Sequence, residues 1–376
     1  MGNATSKRYV PATPPQPHHT PITTISSAFL ANRSPLSHQI PPSRFDISAY
    51  YDPTSTKPNS TTARHGAFLT SPGLFDHRLF NLSPREAAQS DPGHRLLLTT
   101  SYEALQSAGY HPGSPTHSPS NPNPTTTTPT TPATSPPNAA RVATYFGQAA
   151  DEWREVLNQQ GADIYYVPGF SRAFAPSRIS HHFRFGGGSY AVDAACATSA
   201  TAVAMAAAAL VGRECDMALA GGVSVLVSPT TYAGLSRAGM VSGSGGCRAF
   251  WDDADGYARG EAAGVVVMKR LEDALEGNDR VLAVVRGAVR AYGAGAASMT
   301  RPFAPAQEVA YGRVLRQAGV DREELAFVEM HGTGTQAGDV EEMRSVLGGL
   351  VGKRGRDNPL TVGAVKAAVG HGEGVS

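Results

Sequence analysis

From Arg141 to the end of the chain, runs of residues typical of β-strands alternate with runs typical of helices. Such alternation predicts an α/β layered fold, in which helices cover buried sheets that are parallel or mixed. Hydrophobic periodicity separates the two kinds of run. The strand-like runs are 189–195, 216–227, 263–271, 280–293, 325–335 and 360–367, and the helix-like runs are 197–211, 306–320 and 339–352.

Two stretches of biased composition divide the chain. Residues 1–43 are rich in Pro, Ser, Thr and His and predict a disordered tail, because they offer too little apolar surface to offset the entropy of ordering. Residues 114–138 have no periodicity and predict a disordered surface loop inserted in one domain that spans 44–376. Between the two stretches, residues 94–110 show helical spacing, and Gly109 is expected to end that helix.

Net charge and cysteine content limit which cellular compartment and which classes of partner are expected. A net charge of +1 over 376 residues indicates neither nucleic acid nor an anionic membrane as a partner. Three widely separated cysteines are typical of a reducing, cytoplasmic environment, and no secretory segment is apparent. The start MGNATS matches a myristoylation pattern, but so short a match is treated as a coincidence, since one acyl chain binds membranes only marginally.

Cys196 lies between a short strand-like run and an alanine-rich helix-like run. A thiol at such a junction is near the N-terminal end of a helix, where the partial positive charge favours thiolate. The alternative is that Cys196 is one more small residue of the core, because free cysteines are so often buried and inert. Considered alone, the residue favours this second interpretation.

Two further segments favour the nucleophile. His331 follows a strand-like run and precedes Gly332 and Gly334, which permit a tight turn and a close approach of ligand. Lys366 and His371 are five residues apart at the end of another strand-like run. Ligand sites of α/β sheets gather at the carboxyl ends of strands, so these side chains are expected to meet Cys196 there.

At these residues the sequence resembles a known family. The segments VDAACATS, HGTGT and VKAAVGHGEG are similar to the three active-site motifs of β-ketoacyl synthases, the condensing enzymes of fatty acid and polyketide assembly. The segment FNLSPREAAQSDPGHRLLLTTSYEALQSAGY resembles ketosynthases of iterative type I polyketide synthases. Within that group, YYVPGFSRAFAPSRISHHFRFGGGSYAVDAAC and SMTRP are most similar to the ketosynthase domains of fungal non-reducing polyketide synthases. The resemblance implies a thiolase-like fold of five layers, α/β/α/β/α.

The resemblance also implies a role for each matched residue. Cys196 would accept the growing acyl chain as a thioester, and His331 and His371 would stabilise the enolate formed when a malonyl thioester loses carbon dioxide. Lys366 would support the two histidines electrostatically. Thr333 and Thr335 match positions that bind the phosphopantetheine arm of the substrate.

The family implies partners but no directly bound cofactor. Substrates would arrive on the phosphopantetheine of an acyl carrier protein, and carrier and acyltransferase domains of a polyketide synthase would be the partners of a homodimer. Neither a metal nor a nicotinamide is expected, because the glycine-rich segments lack the spacing of a dinucleotide-binding motif.

The sequence also departs from the family pattern. Ala194 and Ala197 replace the usual Thr and Ser beside the nucleophile, and Ala368 replaces an Asn that helps to aim His371. The family normally has an N-terminal strand where residues 1–43 stand, and further elements after position 376, so an incomplete domain that does not condense substrates by itself is expected. The alternative function is a catalytically inactive remnant with a structural or interaction role.

Overall fold

A computed structural model describes residues 22–31, 38–110 and 141–376. The low-complexity insert 114–138 and most of the segment 1–43 lie outside the described residues. The strands are β1 (Ile22–Ala31), β2 (His38–Gln39), β3 (His65–Gly66), β4 (Val142–Gln148), β5 (Ser189–Val192), β6 (Met217–Ser224), β7 (Ala262–Arg270), β8 (Ala283–Val285), β9 (Phe327–Glu329) and β10 (Thr361–Gly363).

The helices alternate with these strands over most of the chain, as the sequence predicts. They are α1 (Pro84–Gln89), α2 (Pro92–Ser107), α3 (Glu152–Gln160), α4 (Tyr166–Phe170), α5 (Phe174–Phe183), α6 (Thr198–Val211), α7 (Pro229–Arg237), α8 (Leu271–Glu276), α9 (Ala304–Ala318), α10 (Gln336–Gly349) and α11 (Lys366–Val369). None of the helices in these described ranges has the length and hydrophobicity that a membrane crossing requires.

A mixed six-stranded sheet forms the centre of the fold, in the order β5-β4-β6-β7-β1-β8. Strands β5, β4 and β6 run parallel, whereas β7, β1 and β8 each pair antiparallel with their neighbours. Every residue of β6 is buried. A strand buried on both faces needs a layer on each side, which agrees with the predicted α/β layered class.

Alternate residues of β6 pack against different layers. Met217 and Leu219 belong to a core shared with α2 and α5. Ala218 and Ala220 belong to a second core, which the alanine-rich face of α6 completes. The two faces of the central sheet are therefore covered by different helices, and α6, which follows Cys196, is held directly against the sheet.

Strand β1 corrects the prediction of a disordered tail over residues 1–43. Its ten residues pair antiparallel with β7 from Ile22 opposite Arg270 to Ala31 opposite Ala262. The run ITTI is rich in β-branched residues, which favour strands, but the surrounding Pro and His dominate the average composition. The expectation that the N-terminal strand is missing is wrong for the same reason.

Strands β9 and β10 form a separate parallel pair, packed with α9 and α10 around Met330, Val346 and Leu350. The strand predicted over 280–293 is much shorter in the structure, where only Ala283–Val285 is extended as β8. The pair β9–β10 carries the second and third sequence motifs, so its loops decide where the histidines lie.

Candidate active site

Cys196 lies at the predicted strand-to-helix junction. A single 3-10 turn, Ala195–Ala197, connects β5 to α6, and the preceding Ala195 has a φ of 49°. A residue with a side chain adopts this left-handed conformation only when the surroundings impose it. The turn is fixed by the Asp193 carboxylate, which accepts the N–H of Ala195 at 3.0 Å, and by the Thr198 hydroxyl, which accepts that of Ala194 at 2.8 Å.

The electrostatics of the thiol differ from the sequence prediction. Burial and the nearby Glu373 carboxylate raise the pKa of Cys196, while Lys366 acts in the opposite direction. The position of Cys196 at the N-terminal end of a helix predicts a lowered pKa. That position gives no information about burial of the thiol or about the Glu373 carboxylate, which comes from a distant segment of the chain. Cys196 is half-buried, so the thiol is accessible without being held as a thiolate.

His331 follows β9 and Met330, as predicted, and helix α10 holds its backbone. The Glu342 carboxylate accepts the N–H of His331 with one oxygen and that of Gly332 with the other, the latter at 2.8 Å. Loss of hydration, with a smaller effect of Lys366, lowers the pKa of His331 to about 4. The imidazole is therefore neutral at physiological pH.

The threonines of the HGTGT segment lie beside His331. Their hydroxyls are 3.0 Å apart, Thr333 is buried, and Thr335 caps α10 by accepting the N–H of Gly338 at 3.2 Å. Gly334 has a φ of 79°, and a Cβ there would lie 2.7 Å from the backbone nitrogen of Arg248. The glycine therefore admits a neighbouring backbone segment rather than a ligand.

Lys366 and His371 follow β10, where Lys366 begins the single-turn helix α11 and His371 comes two residues after its end. His371 is fully buried and lies in a short bridge with Arg259, where its N–H donates to the Ala258 carbonyl at 2.8 Å. The next segment crosses the central sheet at Gly222, where a Cβ would approach the Gly374 carbonyl oxygen to 2.3 Å. A glycine at this position of β6 is what allows the segment to lie so close.

One hydrogen bond determines which nitrogen of His371 carries the proton. The backbone N–H of Glu373, which can only donate, is directed at Nδ1 at 2.8 Å, and the Ser376 hydroxyl lies 3.0 Å from the same nitrogen. Burial, followed by His331, Lys366 and Arg259, lowers the pKa of His371 well below its usual range, so the ring is neutral. A neutral ring whose Nδ1 accepts a hydrogen bond carries its proton on Nε2. Nε2 itself is buried and has no hydrogen-bond partner within the described ranges.

The structure brings the three motifs together as predicted. The sulfur of Cys196 and one ring nitrogen from each of His331 and His371 all lie within 4.8 Å of one another. The two imidazole rings are perpendicular, with centroids 5.3 Å apart, and Tyr257 packs on His371 at 4.6 Å. Two neutral imidazoles therefore face one accessible thiol.

The same three residues have the composition of a zinc site with one open position. A metal-bound imidazole needs a free lone pair on the coordinating nitrogen, whereas the Nε2 of His371 carries the proton. Coordination there would require the 2.8 Å hydrogen bond from Glu373 to break. The arrangement fits hydrogen-bond donation to a substrate better than it fits a metal.

Lys366 adjoins the site and a neighbouring cavity. Its side chain is only 7% exposed, and no hydrogen bond or ion pair of its ammonium group occurs within residues 22–31, 38–110 and 141–376. Loss of hydration lowers its pKa, while Glu342 acts against that effect. The cavity is about 300 Å³ and is also lined by His65, Cys247 and Arg248. Lys366 thus supplies positive potential to both spaces.

The other two cysteines lack the features of a nucleophile. Cys215 and Cys247 are 1% and 5% exposed, and burial raises the pKa of each thiol to about 11. The sulfur of Cys247 accepts the N–H of Ala258 at 3.3 Å. Both are inert core residues, which is what the alternative interpretation expected of Cys196.

Sequence reasoning missed the residues that hold the histidines in place. Glu342 fixes the His331 loop, and Arg259 binds Glu373 beside His371. Arg259 lies three residues before the long apolar strand β7. A charged residue in that context is a signal of a buried ion pair, although it does not reveal the partner.

Two family profiles match the chain. The profile described as the β-ketoacyl synthase N-terminal domain matches residues 17–274, and the corresponding C-terminal profile matches residues 282–376. The first match begins within the segment predicted to be a tail, in agreement with the position of β1 in the central sheet.

Curated relatives point in the same direction. The non-reducing polyketide synthase tpeB of Talaromyces stipitatus is 56% identical over 336 residues, which cover 89% of this chain and 14% of that protein. The orsellinic acid synthase of Emericella nidulans is 49% identical over 340 residues, which cover 90% of this chain and 16% of that protein. The chain therefore spans about one seventh of the length of these relatives.

Solved structures agree with the fold. The oxazolomycin ketosynthase domain of Streptomyces albus superposes with a TM-score of 0.82 at 29% identity, over 94% of this chain and 60% of that one. The ketosynthase from module 6 of the Bacillus subtilis bacillaene synthase gives a TM-score of 0.78 at 28% identity, over 94% and 59%. With its thiolase-like fold and its close fungal relatives, the chain belongs to the β-ketoacyl synthase family, as a ketosynthase domain of the polyketide synthase type.

Proposed function

We propose that this chain provides the condensing site at which, within a polyketide synthase, a malonyl thioester undergoes decarboxylative Claisen condensation with an acyl chain bound to Cys196. The observation that carries the proposal is the protonated Nε2 of His371, which has no hydrogen-bond partner among the described residues, on a ring that lies in one cluster with the sulfur of Cys196. A buried N–H without a partner is costly unless a substrate atom completes it. A carbonyl oxygen that becomes an enolate oxygen is the acceptor that suits it.

The first step loads the nucleophile. The sulfur of Cys196 attacks the carbonyl carbon of an acyl thioester, and the departing carrier thiol takes up the proton that Cys196 gives up. Because the pKa of Cys196 is raised, the thiol needs a base at the moment of attack. Water or the departing carrier thiolate can serve as that base, so loading does not depend on the two histidines.

The second step generates the carbon nucleophile. His331 and His371 donate hydrogen bonds to the thioester carbonyl of the malonyl group, so negative charge can develop on that oxygen as the bond to the carboxylate breaks. Two neutral hydrogen-bond donors stabilise this charge without transferring a proton to it. The products of the step are carbon dioxide and an enolate.

The third step joins the two chains. The enolate carbon attacks the Cys196 thioester, the tetrahedral intermediate collapses, and the Cys196 thiolate leaves and takes one proton from solvent. Each round therefore consumes one proton, releases one carbon dioxide and lengthens the chain by two carbons. A thiolate is suited to both halves of the cycle, since it is a good nucleophile and a good leaving group.

The remaining motif residues supply positive charge to the site and hold the substrate in place. Lys366 supplies positive potential beside the histidines, which its position near both His331 and His371 supports. Thr333 and Thr335 bind the phosphopantetheine arm, and their adjacent hydroxyls beside His331 support this role. The arm belongs to an acyl carrier protein, and we place that protein, the acyltransferase domain and the reaction in the cytosol, where the three thiols stay reduced.

A second copy of the chain completes the assembly. Strand β5 is an edge of the central sheet and bonds only to β4 within the described ranges. Ser189, Tyr190 and Ala191 are exposed, although the strand leads directly to Cys196. An open, partly apolar edge favours pairing with another strand. We propose that β5 of a second copy lies along it.

The proposal is tested by separating the half-reactions. Acylation is measured as the mass gain of the Cys196 peptide after incubation with an acyl-loaded carrier protein, and decarboxylation as carbon dioxide released from a malonyl-loaded carrier protein. We expect His371→Ala and His331→Ala to keep acylation and to slow decarboxylation by roughly a hundredfold or more, as when an oxyanion donor is removed. Cys196→Ala should lose acylation.

Two outcomes would contradict the proposal. If the wild-type chain gains no acyl mass and releases no carbon dioxide while it is folded, the inactive alternative is correct. If each histidine variant loses both half-reactions equally, the histidines hold the fold or serve the thiol rather than the enolate.

A further inference from the structure

Arg259 is a buried cation bound to the segment that contains His371. Its side chain is fully enclosed, and its Nε and Nη2 atoms donate to the two carboxylate oxygens of Glu373 at 2.6 and 2.8 Å. Nη2 also donates to Glu152 at 2.7 Å, and the guanidinium lies 4.6 Å from the centre of the Tyr232 ring. This bidentate geometry fixes the direction of the Glu373 side chain as well as its distance.

The two carboxylates depend on Arg259 to different degrees. The second oxygen of Glu152 accepts the backbone N–H groups of Val227 and Ser228 at 2.7 and 2.8 Å, so Glu152 keeps partners without the arginine. Arg259 is the one hydrogen-bond donor to the Glu373 side chain in the described part of the chain. Removal of Arg259 would therefore leave the Glu373 carboxylate without a hydrogen-bond donor, whereas Glu152 would keep two.

Glu373 is also the residue whose backbone defines His371. Its N–H donates to Nδ1, and its φ of 47° is a strained conformation that the surroundings must hold. The two backbone neighbours of Arg259 also hydrogen-bond to His371. The His371 N–H donates to the Ala258 carbonyl and the Gly260 N–H donates to the His371 carbonyl, each at 2.8 Å. Side chain and backbone thus hold the same loop.

We propose that Arg259 is a positioning residue of the condensing site, which acts through Glu373 to keep the proton of His371 on Nε2 and the ring directed at the substrate. Arg259 itself does not reach the reacting atoms. Its action on the tautomer stands on geometry alone, whereas its effect on decarboxylation rests on the proposed function.

The tautomer can be read directly. In the full 376-residue chain labelled with ¹⁵N-histidine, His371 should show a protonated Nε2 and an unprotonated Nδ1, assigned by comparison with His371→Ala. In Arg259→Met the signals should move toward a mixture of tautomers, because the donor to Nδ1 is no longer fixed. Arg259→Lys restores the charge without the fork and should fall between the two. Arg213→Met, which breaks an exposed ion pair with Glu272, is the matched control and should leave His371 unchanged.

The half-reactions give the second readout. We expect Arg259→Met to slow malonyl decarboxylation about a hundredfold, the scale of an ångström of displacement, and to change acylation of Cys196 by less than about threefold. Glu373→Gln should slow decarboxylation about tenfold. Adding Arg259→Met to Glu373→Gln should then slow it by much less than a further hundredfold, because the two side chains act as one unit.

Several results would overturn the inference. These are an unchanged His371 spectrum in a folded Arg259→Met chain, equal loss of both half-reactions, and additive effects of the two substitutions. If Arg259→Met does not fold, Arg259→Lys and Glu373→Gln carry the test, and wild-type spectra in both would refute it. A changed tautomer in a chain whose wild type releases no carbon dioxide would support the positioning role and contradict the proposed function instead.

Discussion

Glu342 accepts the backbone N–H of His331, so a residue inside helix α10 determines where this proposed catalytic histidine, two residues after β9, lies. The other oxygen of Glu342 accepts the N–H of Gly332 at 2.8 Å. A carboxylate can accept both, whereas an amide has only one oxygen to offer. The His331 loop is thus tied to α10 by one side chain.

Glu342→Gln is expected to release this loop. Decarboxylation of a malonyl-loaded carrier protein should fall by about tenfold to a hundredfold, since small displacements of a donor are expensive, while acylation of Cys196 stays close to wild type. Glu272→Gln, an exposed carboxylate on α8, is the control. Equal rates in Glu342→Gln and wild type would show that the loop holds its position unaided.

Cys196 should be the first cysteine to react with iodoacetamide in the folded chain. Cys215 and Cys247 are buried and their thiol pKa values are raised to about 11, so they are both inaccessible and protonated. Peptide mapping after brief labelling at neutral pH should place nearly all of the adduct on Cys196. In denaturant the three should react alike, and equal labelling of the native chain would refute the assignment of Cys196.

Glu373→Gln should make the Cys196 thiol more acidic. The Glu373 carboxylate raises the pKa of this thiol, so its removal lowers that pKa and increases the thiolate fraction at a given pH. The rate of Cys196 alkylation against pH should therefore keep its shape and move to lower pH. Arg213→Met is the control, and a profile that stays in place or moves upward would contradict the electrostatic role of Glu373.

His94 should make the fold sensitive to acid. This fully buried residue of α2 has its pKa lowered to about 3, by burial first and Arg178 second. Because folding favours the neutral ring, stability is complete above about pH 6.5 and declines as the pH falls toward the folded value. Between pH 7.5 and 5 this one residue lowers the free energy of unfolding by about 2 kcal/mol. Urea titrations of His94→Gln should show a shallower pH dependence, and an identical slope would refute the prediction.

Tyr190→Lys should prevent dimer formation through β5. Tyr190 is 44% exposed on the open edge strand and stacks on Tyr145 with ring centroids 4.9 Å apart. A lysine on an edge strand opposes strand pairing by charge. Sedimentation should find wild type as a dimer and Tyr190→Lys as a monomer. The exposed Tyr292→Lys should remain dimeric, and a dimeric Tyr190→Lys would move the interface elsewhere.

The sequence predicts the reactive residues of this site better than it predicts the residues that hold them in place. Cys196, His331 and His371 each follow a strand or the turn next to it, and the rule that α/β sites gather at strand ends brings them together. Helix α6 begins within one residue of its predicted start. These features depend on local patterns, which a single sequence displays.

The missed features depend on contacts between distant segments. Arg259 and Glu373 meet across 114 positions, and the acid raises the pKa of Cys196 from the far end of the chain. Neither Arg259 nor Glu373 alters the hydrophobic pattern of the sequence around it. Strand β1 was missed for a related reason, because its register with β7 comes from pairing and not from the composition of residues 1–43.

The close passage of Gly374 over Gly222 has a consequence for the order in which the site is assembled. The His371 segment can settle only on a finished β6, whereas Cys196 is synthesised earlier and needs only its own junction. At about 5–20 residues per second the ribosome takes roughly 9 to 35 seconds to synthesise the segment from Cys196 to His371. During that interval the nascent chain carries the Cys196 thiol without His371, so the proposed condensation can begin only after the contact between Gly374 and Gly222 has formed.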